Sequence, residues 1–145
     1  MTVQTSPKGF SRVVPLAYDA AVTATRAALA TEGFGIITEA DVRATFQAKL
    51  GVDFRPYVIL GACNPNLAKQ ALELEPDLGL LLPCNVIVYA GATPGESVVA
   101  MMDPVAALGL TGNAALTPAA REVKTRLERA LAAVGADAPA AKASR

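Results

Sequence analysis

Two apolar β-forming runs joined through a helix start constrain this chain more than any other stretch. Tyr57-Val-Ile-Leu-Gly-Ala62 is dense in strand-forming residues and reads as a strand buried on both faces. Cys63 follows, then Asn64-Pro65, a favoured N-cap with proline at the first helical position. Leu67, Ala68, Ala71 and Leu72 give that helix a buried face, and Pro76 stops it. Leu78–Leu82 then leads through Pro83 into a second strand, Cys84-Asn-Val-Ile-Val-Tyr-Ala90. Both cysteines of the chain stand at these junctions, each followed by asparagine.

The flanks extend the same alternation. Residues 10–16 read as a strand, Tyr18 to Leu29 as a helix with Asp19 in its first turn and Gly33 as its stop, and residues 34–38 as a second strand. Thr38-Glu39-Ala40-Asp41 fits a capping box before Val42, Phe46 and Leu50 at helical spacing. Residues 91–96 read as a hairpin loop, 97–102 as the returning strand, and 105–116 as a short turn plus loop. Thr117-Pro118 signals a last helix running to Gly135. The order βαβαβαββα implies an α+β fold in two layers: a mixed, mainly antiparallel sheet of about five strands with helices packed on one face. If the strands around Asn64 are parallel neighbours, their connection is a right-handed crossover. One domain over residues 8–135 is expected, with a frayed tail at 136–145.

Composition narrows the function classes. Thirteen basic and thirteen acidic residues cancel, which gives no electrostatic case for nucleic acid or an anionic membrane. No apolar run reaches the roughly 18 residues of a membrane span, and the first residues lack the apolar core of a secretory signal. A cytoplasmic protein with reduced thiols is therefore expected. The chain has no histidine. That removes Ser-His-Asp and Cys-His nucleophilic sets, imidazole bases and His-containing metal sites. No glycine-rich phosphate loop occurs either.

Chemistry then rests on few side chains. Cys63, next to a helix N-terminus, is placed for a lowered thiol pKa, or else is a small hydrophobe closing a strand. Cys84, at a strand entry after Pro83, is either a buried packing residue or a thiol partner to Cys63. The two thiols meet only if Cys84 sits beside the end of the first strand; a parallel crossover would leave them at opposite ends. Asn64 is accounted for as a cap, whereas Asn85, a poor β former inside a strand, has no structural reason. Glu39 and Asp41 suit either the capping box or carboxylate chemistry. Arg55 suits an anion clamp or an ion pair.

Residues 32–42, 49–65, 67–69 and 79–86, with Cys-Asn-Pro and Leu-Pro-Cys-Asn at their centre, resemble the bacterial and archaeal domain-of-unknown-function family 302 over residues 10–108. The resemblance implies a small cytosolic α+β domain, commonly dimeric, without an established activity. Glu39, Asp41, Arg55, Cys63, Asn64, Pro65, Pro83, Cys84 and Asn85 match its signature. The alanines of the first helix depart from the more charged helix usual in the family.

Three functions compete. The first is a homodimeric module binding a small ligand or partner near Cys63, Cys84 and Asn85, with Glu39, Asp41, Arg55 and Asn64 as further ligand-binding candidates. The second is a thiol-based redox or sulfur-transfer enzyme using Cys63 with Cys84. The third is a metal site of both cysteines and a carboxylate. No cofactor is indicated.

Overall fold

A computed structural model describes residues 2–136. The strands are β1 (Gln4–Ser6), β2 (Gly9–Val14), β3 (Gly35–Asp41), β4 (Tyr57–Cys63), β5 (Cys84–Ala90) and β6 (Ser97–Met102). The helices are α1 (Tyr18–Thr31), α2 (Val42–Leu50), α3 (Pro65–Leu74), α4 (Pro104–Gly109) and α5 (Thr117–Ala133). The α+β fold is as expected, with two corrections. The sheet has six strands in the order β1-β2-β6-β5-β4-β3, because β1 hairpins onto β2. Every pairing is antiparallel, so the helix after Asn64 joins antiparallel neighbours and no parallel crossover forms. The expected tail lies, apart from Ala136, outside the described residues.

Alternation along the strands creates the two layers. Phe10, Val14, Val58, Leu60, Ala62, Val86, Val88, Val99 and Met101 are buried against Ala21, Ala28 and Leu29 of α1 and Leu127, Ala130 and Leu131 of α5. Arg12 shares this buried side of β2. Its guanidinium donates to the carbonyls of Leu131 and Ala132, so a fixed cation meets the negative end of α5. The opposite sheet face carries half-buried Ile59, Ile87, Val98 and Ala100, with Val13 42% exposed.

The caps differ in detail from the sequence reading. β3 runs through to Asp41, and Asp41 itself caps α2 by accepting from the Ala44 N–H at 2.9 Å. Thr38 stays in the strand, so the expected capping box does not form. Residues 105–116 hold α4, capped by the Asp103 carboxylate, and a 3-10 turn, Ala114–Leu116, capped by Asn113. That turn runs directly into α5, so Thr117 is a first-turn residue and makes no side-chain cap.

Candidate functional site

The site grows from one register. In the β4–β5 ladder Ala62 lies opposite Cys84 and Tyr57 opposite Tyr89. Because the strands are antiparallel, Cys63 at the end of β4 and Cys84 at the start of β5 reach the same end of the sheet. Asn64 then turns the chain into α3. Its side-chain oxygen accepts from the Leu67 N–H at 3.2 Å, and Pro65 takes the first helical position, as the sequence indicates. Asn64 is 9% exposed and packs against Gly33, whose φ of +85° supplies the left-handed turn after α1.

Gly61 makes a second close approach. A Cβ there would strike the Thr38 hydroxyl on β3 and the Pro83 ring. Its absence lets Pro83 fold over β4 and deliver Cys84 to the strand end.

A cavity of about 200 Å³ opens at this end, between the strand termini and helices α3, α4 and α5. Phe34, Leu67, Ala71, Leu108 and Val123 form much of its apolar wall. Cys63, Cys84, Pro83 and Asn64 line it too. The sequence reading missed Met102, at the end of β6. The hairpin could have found it: Val86 pairs with Met101, which sets Met102 level with Asn85, one residue from Cys84.

The thiols differ from the expectation for a helix N-terminus. Burial raises the pKa of Cys63. Burial, with a smaller push from the charge of Cys63, takes Cys84 from 9.0 up to about 11. Burial disfavours the charged form at both, and neither is poised as a thiolate at neutral pH.

The other sequence candidates do not join them. Glu39 pairs with Arg26 on α1, and Asp41 caps α2. Among the described residues no three Cys, Asp or Glu side chains gather into a metal-holding group. Arg55 stands at the far end of the ladder, 5.6 Å over the Tyr89 ring. Asn85 pairs with Gly61 and lies on the opposite sheet face, lining a depression of about 390 Å³ with Lys8, Ser11, Ile87 and Tyr89. The separation follows from strand alternation: Cys84 and Asn85 are consecutive, so one faces the helices and the other faces away.

The description "Domain of unknown function DUF302" fits residues 10–134 of this chain. The chain belongs to the DUF302 family. A solved DUF302 structure, an uncharacterized conserved protein from Bacillus stearothermophilus, is similar to it at 30% identity and a TM-score of 0.78, covering 86% of this chain and 95% of that one. No curated protein matches. For this DUF302 protein, family membership supports the architecture and leaves activity open. No helix among its described residues is long and apolar enough to cross a membrane.

Proposed function

We propose that this protein is a binding module that takes a small, largely apolar ligand in the cavity beside Cys63 and Cys84. The observation that carries this reading is the cavity itself. An apolar space of about 150 Å³ can hold a benzene-sized molecule, so this one, at about 200 Å³ and open to one side, takes one or two rings of a ligand whose remainder lies at its mouth. Its lining supplies dispersion contacts, while the Asn64 amide, with its oxygen engaged by the Leu67 N–H, supplies polar orientation. Thiols held protonated by burial argue against the redox or sulfur-transfer alternative.

The test uses the neutral dye N-phenyl-1-naphthylamine as the probe. Its fluorescence should rise and saturate at one dye per chain. The variant Ala68→Trp, which places an indole in the cavity, should abolish the rise while far-UV circular dichroism stays native. Equal dye binding by the folded variant refutes the reading.

A homodimer is the second part of the proposal, and the sheet face away from α1 and α5 supports it. Five strands from β2 to β3 at ~4.8 Å spacing, with about six residues each at ~3.3 Å, project roughly 500 Å². With side-chain relief that approaches the roughly 800 Å² per partner of a standard interface. Ile59, Ile87, Val98 and Ala100 give it an apolar centre. Sedimentation equilibrium should return twice the 14.9 kDa chain mass, and Ile87→Asp should return the single mass. A wild-type monomer at tens of micromolar rejects this interface.

A further inference from the structure

One polar side chain stands on the wall of the cavity at the end of β4. Among the described residues that line it, Asn64 is the only one with an amide, hydroxyl or charged group. Asn64 is itself only 9% exposed, and its side-chain oxygen accepts from the Leu67 N–H at 3.2 Å. That bond fixes which end of the amide is oxygen, because a donor must meet an acceptor. Nδ2 donates to no acceptor among the described residues, yet it is not sealed off: Arg12 Nε is the one fully buried side-chain polar atom among them left without a partner. The Nδ2 group therefore opens on the space that Asn64 lines. Its two N–H bonds are unspent, and a ligand acceptor there would recover free energy that the bare amide forgoes.

The charge around the site decides the kind of acceptor. Arg126, one turn beyond Val123 on α5, also approaches Gly33 beside Asn64. Its Nε donates to Glu122 at 2.7 Å and its Nη1 to the Glu32 carbonyl at 3.3 Å, so its charge is matched there, and it does not line the cavity. A carboxylate ligand would exchange water for an apolar wall with one neutral donor and no cation, which burial penalises heavily. A carbonyl leaves water at far smaller cost and regains its hydrogen bond from Nδ2.

We propose that the cavity selects uncharged ligands bearing a carbonyl, ketones and esters of ring or alkyl groups, whose oxygen accepts from Asn64 Nδ2 while the apolar part fills the wall. This rests on the apolar-ligand reading and names the ligand class for that same site.

Three naphthalenes of nearly equal size test it. 2-Acetylnaphthalene carries the carbonyl, 2-ethylnaphthalene lacks it, and 2-naphthoate puts a carboxylate in its place. Equilibrium dialysis against the full chain at neutral pH should show the ketone binding about 3- to 10-fold more tightly than the hydrocarbon, the net worth of one hydrogen bond. The naphthoate should bind at least about 10-fold more weakly than the ketone. Asn64→Asp keeps a capping oxygen for Leu67 and exchanges the donor for a second oxygen, so it should erase the ketone's advantage. Asn64→Ser, which caps through a hydroxyl too short to take the place of Nδ2, should erase it with no added charge.

Equal binding of ketone and hydrocarbon by the wild-type protein overturns the proposal. So does a ketone advantage that survives in either folded variant, or naphthoate binding as tight as the ketone's. Parallel titration with the naphthylamine dye separates the two readings. Saturable dye binding beside any of these results defeats the carbonyl selection alone, whereas absence of both dye and naphthalene binding defeats the apolar-ligand reading with it.

Discussion

The two ends of the β4–β5 ladder have the same backbone and opposite fillings. At one end Tyr57 and Tyr89, directly opposite in register, stack with centroids 5.2 Å apart and planes within 6°. Phe54 and Phe46 extend that cluster, and Arg55 lies over Tyr89. Side chains there pack on one another, and Tyr89 goes on to wall the depression of about 390 Å³ on that face. At the other end the opposed pair is Ala62 and Cys84, both small, and the neighbouring helices do not close the gap. The two pairs differ in volume and in face: the tyrosines project to the side of the sheet away from α1 and α5, and Ala62 and Cys84 project to the helix side. On the helix side a cavity remains where the ladder runs out of bulk, with Cys84 among the apolar side chains that line it.

The largest expected effect tests how tightly the small-residue end is built. Gly61→Val should cost about 3 kcal/mol or more by urea denaturation, because its Cβ would meet both Thr38 and Pro83. A loss under about 1 kcal/mol would mean that the β3 side of the ladder yields easily. The contrast with a rigid aromatic end would then fail.

Next comes the thiol at the cavity floor. In the folded chain Cys84 titrates at about 11 against an ordinary 9.0. Below pH 9 the thiol is protonated in both states, so its full contribution is present. As pH rises from 9 to 11 the unfolded chain ionises first and the native state loses ground. The loss is about 2–3 kcal/mol across that window. Tyr18 and Tyr57, also raised by burial, add to the wild-type slope in the same direction. The informative quantity is therefore the difference between wild type and Cys84→Ala, whose curve should be flatter between pH 9 and 11. Parallel curves would mean that Cys84 is far better hydrated than its packing indicates.

At the aromatic end, Tyr89→Leu should cost about 1 kcal/mol, the worth of a stacked ring pair beyond its buried area. It should leave dye binding in the cavity beside Cys63 untouched. Altered dye binding would show that the two ends are coupled along the ladder.

Much of this contrast was legible in the sequence, and the unread part has physical causes. Asn64-Pro65 announced α3 because capping is local chemistry, and the Val-Ile-Leu and Val-Ile-Val runs announced β4 and β5. Strand direction was not legible, since the α3 connection is long enough to serve parallel or antiparallel neighbours. That one ambiguity decided whether Cys63 and Cys84 met. Asn85 stands out in the sequence as unexplained by strand propensity, but its side of the sheet depends on register. Met102 went unnoticed because nothing local distinguishes it, and only hairpin pairing brings it to the cavity. Glu39 and Asp41 looked like a pair in sequence. In the fold one meets Arg26 across the helix layer and the other turns to cap α2.

The smallest effect separates packing from chemistry at Cys63. The side chain is half-buried at a strand end beside a cavity, so removing its sulfur enlarges an existing space rather than opening a new one. Cys63→Ala should therefore change stability by less than about 0.5 kcal/mol, well below the cost at Tyr89. Its reactivity should be low as well. Burial raises its pKa, so the thiolate fraction at pH 7 falls below that of a free thiol, and iodoacetamide should label it more slowly than a cysteine peptide. Faster labelling would mean that the α3 dipole outweighs desolvation and would restore Cys63 as a nucleophile. Slow labelling with unchanged stability leaves a thiol that neither packing nor covalent catalysis requires, and such a group is free to contact a bound ligand.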